Sequence, residues 1–148
     1  MDRPVSQTAD VLIIGGGVMG TSTALHLAEQ NAGRVLLLEK SALGAGSSGK
    51  SGAILRQHYS HDVSVRMART SLQFYSQFHE QYGQEIGFRQ PGMLFVADEA
   101  QREALRRNVE LQRSLGVETE ILDAPALREA EPEARFGDET IAAWEVRV

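Results

Sequence analysis

The chain has 148 residues, 42% of them hydrophobic and 24% charged, the length and balance of one ordinary globular domain with a real core. Its net charge of −5, with acids and bases interspersed, gives no footing for nucleic acid or an anionic membrane. The absence of cysteine removes disulfides, thiolate metal sites and cysteine nucleophiles together, and fits a reducing, cytoplasmic setting. No metal site suggests itself.

Residues 1–9 read as a loose polar leader, with no signal-peptide core in Met1-Asp2-Arg3-Pro4 and no apolar run long enough to span a bilayer. The first element is a strand from about Asp10 to Ile14, four consecutive apolar residues as a strand buried on both faces of a parallel sheet requires. It runs into Gly15-Gly16-Gly17-Val18-Met19-Gly20, a Gly-x-Gly-x-x-Gly turn that opens an Ala-rich helix reaching about Gln30. Each glycine has a mechanical task. Gly15 permits the tight turn, a Cβ at Gly17 would block the backbone from a pyrophosphate, and Gly20 lets helix and strand lie close. The helix start then offers N–H groups and a positive dipole end to phosphates.

Ala24, Leu25, Leu27 and Ala28 face the sheet at helical spacing, and Gly33 is fit for a left-handed cap. A second strand, Arg34 to Glu39, ends on an acid nineteen residues beyond Gly20, placed to accept hydrogen bonds from ribose hydroxyls. A carboxylate there speaks against NADP, although Lys40 softens the argument. A glycine turn with both strands, the helix and the terminal acid points to a dinucleotide site; the plainer reading is a structural βαβ turn.

Ser41 to Ala53 holds four glycines and four serines in thirteen residues. Its composition is that of a linker. Its position, leaving the carboxyl edge of the sheet, favours a second cofactor-contacting loop whose N–H groups, hydroxyls and Lys50 reach phosphates. Asp62 looks like the N-cap of a helix to about Tyr82, with Val65, Ala68, Leu72, Tyr75 and Phe78 on one face as core, and Gly83 ends it. Strand character returns over Ile86 to Val96, with a turn at Gln90-Pro91-Gly92. Asp98 and Gln101 form a capping box for a helix carrying Ala104, Leu105, Val109 and Leu115, stopped by Gly116. Val117 to Leu122 is a short strand, Asp123-Ala124-Pro125 opens a short helix closed at Glu131-Pro132, and Ile141 to Val148 reads as a strand cut off in progress. The organisation shifts near residue 85. Residues 1–85 form the cofactor-binding layer, and 86–148 the start of an inserted, incomplete, mixed α+β substrate domain. The expected fold class is α/β, a Rossmann-like βαβ unit within a longer protein.

With those residues in view, the chain resembles the N-terminal part of the FAD-dependent amine and amino-acid oxidoreductases, the group holding sarcosine oxidase, glycine oxidase and D-amino-acid oxidase. The match spans essentially the whole chain and is strongest over Asp10 to Gly20, Val35 to Lys40 and Gly46 to Tyr59. Arg89-Gln90-Pro91-Gly92-Met93-Leu94 is similar to the family's Arg-x-x-Gly-x-Leu strand. The resemblance implies FAD. Gly15, Gly17, Val18, Met19 and Gly20 would hold its pyrophosphate, and Glu39 with Lys40 its adenosine end. The loop of Gly46, Ser47, Ser48, Lys50, Ser51 and Gly52 would run beside the pyrophosphate and flavin ring. Arg56 matches a position that binds the substrate carboxylate, which suits a guanidinium's two parallel hydrogen bonds; the plainer reading is an exposed arginine. His58 and His61 read as loop or surface residues, with no acid at useful spacing.

Two positions depart from the sarcosine-oxidase pattern: Gly49 stands where such members have a His, and Ala53 where they have an extra Arg. A covalent flavin link through that His is thereby removed. The implied activity is oxidation of the C–N bond of a small amino acid or secondary amine, with hydride passing to flavin N5 and the imine then hydrolysed. The implied partners are that small molecule and the remainder of the protein or a partner subunit. Two rivals stand beside it: an NAD-dependent dehydrogenase built on the same βαβ unit, and a non-catalytic cofactor-binding fragment or subunit.

Overall fold

A computed structural model describes residues 8–145, which divide after Ile54 into two compact units. The expected leader and the last three residues, 146–148, lie outside the described residues apart from Thr8 and Ala9.

In the first unit, β1 (Val11–Ile14), α1 (Val18–Glu29) and β2 (Val35–Leu38) form the expected βαβ unit, the strands parallel and in register from Val11 opposite Val35 to Ile14 opposite Leu38. Gly33 takes the left-handed conformation (φ +85°). There the Asp10 carboxylate accepts the Arg34 N–H at 2.7 Å, and the Asp10 N–H donates to the Arg34 carbonyl at 2.9 Å, clamping the start of both strands. Burial of β1 on both faces is not what the structure has. Leu12 is 54% and Ile14 84% exposed, because among the described residues the sheet has two strands and nothing covers that face. Ala28 of α1 is likewise exposed, while Ala24, Leu25 and Leu27 are half-buried.

The second unit is a three-stranded antiparallel sheet in the order β3-β5-β4, from β3 (Met93–Ala97), β4 (Thr119–Leu122) and β5 (Ile141–Glu145). Its helices are α2 (Asp62–Ser76), α3 (Phe78–Tyr82), α4 (Arg102–Ser114) and α5 (Ala124–Ala130). Leu105 and Val109 of α4 pack on Ala97, Ile141 and Ala143, with Phe95 and Ile121 at the edge of the same cluster. Leu127 of α5 and Val65 of α2 are fully buried. Ala142 and Ala143 of the central strand are also fully buried.

Several boundaries differ from expectation. His61, not Asp62, is the residue before α2. Asp62 is its first residue and pairs with Arg66 one turn on at 2.6 Å, so its oxygens are not spent on capping. The expected single helix breaks at Gln77 into α2 and α3 and ends, as expected, at left-handed Gly83. Ile86 to Pro91 forms no strand; pairing starts only at Met93, after Gly92 (φ +84°), where β5 supplies partners. Asp98 does accept the Gln101 N–H at 3.1 Å, but it starts a short 3-10 turn ahead of α4. Ala104 is exposed, and the third inward position of α4 is Gln112, fully buried. The unit boundary falls at residue 54, upstream of the shift read near 85. Residues 55–85 join the second unit because Val65 is buried there and the Gln112 side chain donates to the Tyr59 carbonyl at 3.1 Å.

Candidate functional site

The glycine turn of the first unit is built on close approaches that only glycine allows. Gly15 has φ +105°, and its N–H donates to the Leu38 carbonyl at 2.8 Å, tying the turn to the end of β2. A Cβ at Gly20 would lie 1.9 Å from the Gly15 carbonyl oxygen, so α1 can start this near β1 only without one. Gly17 is the residue before α1, and a Cβ there would stand 3.1 Å from Ser48 Oγ.

Gly16, which sequence reasoning passed over as the unnamed middle of the motif, turns out to be its hub. Its N–H donates to Glu39 Oε2 at 2.7 Å and its carbonyl accepts from Gly44 at 2.9 Å. A Cβ on it would meet the Leu43 side chain at 2.5 Å. The signal was present as the third member of the Gly15-Gly16-Gly17 run.

Glu39 uses its other oxygen, Oε1, to accept the Ser41 N–H at 2.9 Å. The Gly16 N–H first, then the Ser41 N–H, then the Lys40 N–H and charge, hold its carboxyl below the usual carboxylate range against the opposing effect of burial. It is therefore ionised at neutral pH. Each oxygen keeps acceptor capacity beyond the one N–H it holds, as a ribose hydroxyl requires.

Gly17 has no side chain to cap α1, and Ser48 does so from thirty residues away: its Oγ accepts the Val18 N–H at 2.9 Å. The Gly/Ser segment is thus folded back on the turn, with the Gly49 N–H closing on the Gly44 carbonyl at 2.7 Å and a 3-10 turn over Ser48–Lys50. Gly15, Gly17, Val18, Gly20, Glu39 and Ser48 are brought together in this way. Met19, 79% exposed, and Lys40 flank them, and Gly46, Ser47, Lys50, Ser51 and Gly52 lie exposed along the same loop. A helix start directly after a glycine turn, capped by a serine hydroxyl and beside an ionised acid, has the donor and acceptor groups that the pyrophosphate and ribose of a dinucleotide call for.

In the second unit, Arg56 is exposed, but its guanidinium lies 5.2 Å from the centroid of the Tyr59 ring and 5.8 Å from that of Phe95. His58 stacks on Phe95 with centroids 4.1 Å apart and planes 17° from parallel. It is half-buried within a loop, and His61 is exposed, in keeping with their reading as loop or surface residues. Burial pushes the His58 imidazole down, the Gln112 side chain opposes that, and the Arg56 charge adds to it; Nδ1 is buried without a hydrogen-bond partner. Between these residues the Gln57 N–H donates to both oxygens of Glu145, at 2.9 and 3.0 Å. Neither Glu145 nor Gln112 was among the expected site residues, because their roles depend on pairing with residues 88 and 53 positions away. Among the described residues, no group of three or more His, Asp or Glu is placed to hold a metal, and no helix is long and apolar enough to cross a membrane.

The tied glycine turn and acid-ended second strand define a nucleotide-binding βαβ unit of the Rossmann kind. The chain matches the family described as FAD dependent oxidoreductase over residues 10–147, and it belongs to that family. It is 34% identical to mouse (Mus musculus) mitochondrial sarcosine dehydrogenase over 81% of its length, and 34% identical to sarcosine oxidase subunit beta of Arthrobacter sp over 88%. Among solved structures it is similar to L-proline dehydrogenase from P. horikoshii, with TM-score 0.85 and 28% identity over 97% of the chain. It spans only 13%, 33% and 38% of those three proteins respectively.

Proposed function

We propose that this chain supplies the FAD-binding turn and the substrate-carboxylate arginine of a flavoenzyme that oxidises the C–N bond of a small amino acid or secondary amine. The observation that carries the reading is the Gly15–Gly20 turn, closed on an ionised Glu39 and followed directly by the start of α1. In this reading the start of α1 and Ser48 hold the pyrophosphate, and Glu39 holds the adenosine ribose. Lys40, Lys50 and the exposed glycines and serines of the loop line the rest of the cofactor. Arg56 binds the substrate carboxylate bidentately, its guanidinium oriented by Tyr59 and Phe95. When bound, FAD supplies the two-electron acceptor; the chain's own residues bind and orient. Residues 1–54 then serve the cofactor and the Arg56 segment serves the substrate, in a protein we assign to the cytoplasm from its cysteine-free composition.

A second reading has an observation of its own. The apolar face bearing Leu12, Ile14 and Leu38 is uncovered, which supports a cofactor-binding piece whose pocket is completed by further chain or a partner subunit.

The test is an absorption spectrum of the purified protein before and after denaturation. Flavin bands at roughly 370 and 450 nm that are released on unfolding are expected, followed by anaerobic bleaching with N-methyl or D-amino acids. A colourless protein that refuses added FAD but binds NAD would turn the assignment to a dehydrogenase. Binding of neither would leave the incomplete-pocket reading.

A further inference from the structure

Glu145 sits at the end of the central strand β5, paired with Met93 on one side and Thr119 on the other, and is 7% exposed. Among the described residues no lysine or arginine forms an ion pair with it. Instead both of its oxygens converge on one backbone group, the Gln57 N–H, at 2.9 and 3.0 Å. A carboxylate placed inside a sheet is costly unless its hydrogen bonds compensate, and here they are spent on the peptide group joining Arg56 to Gln57. Burial raises the Glu145 carboxyl, while the Gln57 and His58 N–H groups and the Arg56 charge favour its ionised form. The strand is held on both edges, so the anchor is rigid. The segment it grips has no regular secondary structure of its own from residue 52 to 59.

We propose that Glu145 is a positioning residue for Arg56: by holding the 56–57 peptide against the central strand it aims the guanidinium, already laid against Tyr59 and Phe95, at the carboxylate of a small acidic ligand. This inference rests on the reading of Arg56 given above. A guanidinium on an untethered loop would meet a carboxylate with one hydrogen bond at a time; a tethered one presents both.

The test uses the complete FAD-loaded protein, with acetate as the carboxylate probe and acetamide as its neutral counterpart, and Kd read from perturbation of the flavin bands. E145L, which fills the space but removes both acceptor oxygens, is expected to weaken acetate roughly tenfold or more and leave acetamide unchanged. R56K is expected to do the same, and the double variant no more than R56K alone. If R56K leaves acetate binding intact, the reading of Arg56 itself fails and takes this inference with it. If R56K weakens acetate and E145L does not, or E145L weakens both probes alike, only the positioning role is overturned. Should E145L yield no folded flavoprotein, E145D decides by the same ratio, since it keeps the charge and shortens the reach. Failure of both to fold would overturn the proposal in favour of a purely structural carboxylate.

Discussion

Glu39 Oε2 accepts the Gly16 N–H at 2.7 Å, so the acid at the end of the second strand closes the turn that leaves the first. The glycine turn is consequently organised by an ionised group, and its integrity depends on pH. The folded carboxyl lies below the ordinary glutamate value of about 4.3, so its stabilisation is complete above that value and is lost as pH falls through the lower, folded one. The stability difference between the wild type and E39Q, read from urea midpoints, is expected to be level from pH 8 to about 5 and to shrink below that. A difference that stays constant into acid would mean that the carboxylate charge does nothing for the turn.

Gly20→Ala tests the close approach of helix and strand. The added Cβ would meet backbone, the Gly15 carbonyl oxygen at 1.9 Å, and no rotamer can relieve it. A loss of about 1–3 kcal/mol in stability is expected from such overpacking, with FAD content of the purified protein falling sharply. Full flavin occupancy in G20A, measured as released flavin per mole of protein, would contradict the turn geometry.

Ser48→Ala removes the hydroxyl that accepts the Val18 N–H at 2.9 Å. Loss of an N-terminal cap costs about 1 kcal/mol, and here it also frees the Gly/Ser loop from the helix start. Ser48→Thr keeps the acceptor and is expected to restore most of the thermal midpoint. Equal midpoints for wild type and S48A would show that the loop is held without this bond.

Glu145 is expected to respond to acid in the direction opposite to Glu39. Burial holds its folded carboxyl above the ordinary value, so the folded state takes up the proton first. As pH falls from neutral through that raised value, the wild type should gain stability relative to E145Q, levelling off below about pH 4.3. His58, held below the ordinary imidazole range, works against folding over a higher window, and comparison with the single variant removes its contribution. A wild type that loses stability relative to E145Q over the same interval would place the carboxylate in a setting that favours its charge.

The βαβ unit was legible because each of its parts is a local pattern: an apolar quartet, a glycine spacing, a helical period and a terminal acid. The observed strands and helix fall within a residue of the expected ones. Resemblance to FAD-dependent oxidoreductases was likewise carried by contiguous motifs, and the family match over residues 10–147 agrees. The cap at Asp98 and the helix start at Asp123-Ala124-Pro125 could be read for the same reason, since an N-cap bond spans three residues.

What the tertiary structure decided is everything that joins distant residues. Gly16 became a hub because Glu39, 23 residues on, reaches it, and Ser48 became the cap of α1 from thirty residues away. Gln112 is fully buried because a polar side chain on the inner face of α4 found the Tyr59 carbonyl, a partner that no helical period announces. Glu145 read as one polar letter in a terminal strand. Only the pairing of β5 between β3 and β4 turned it inward, where its carboxylate could take hold of the Gln57 N–H. Sequence patterns report the preferences of neighbouring residues, whereas a hydrogen bond across 88 positions exists only after the sheet has chosen its order.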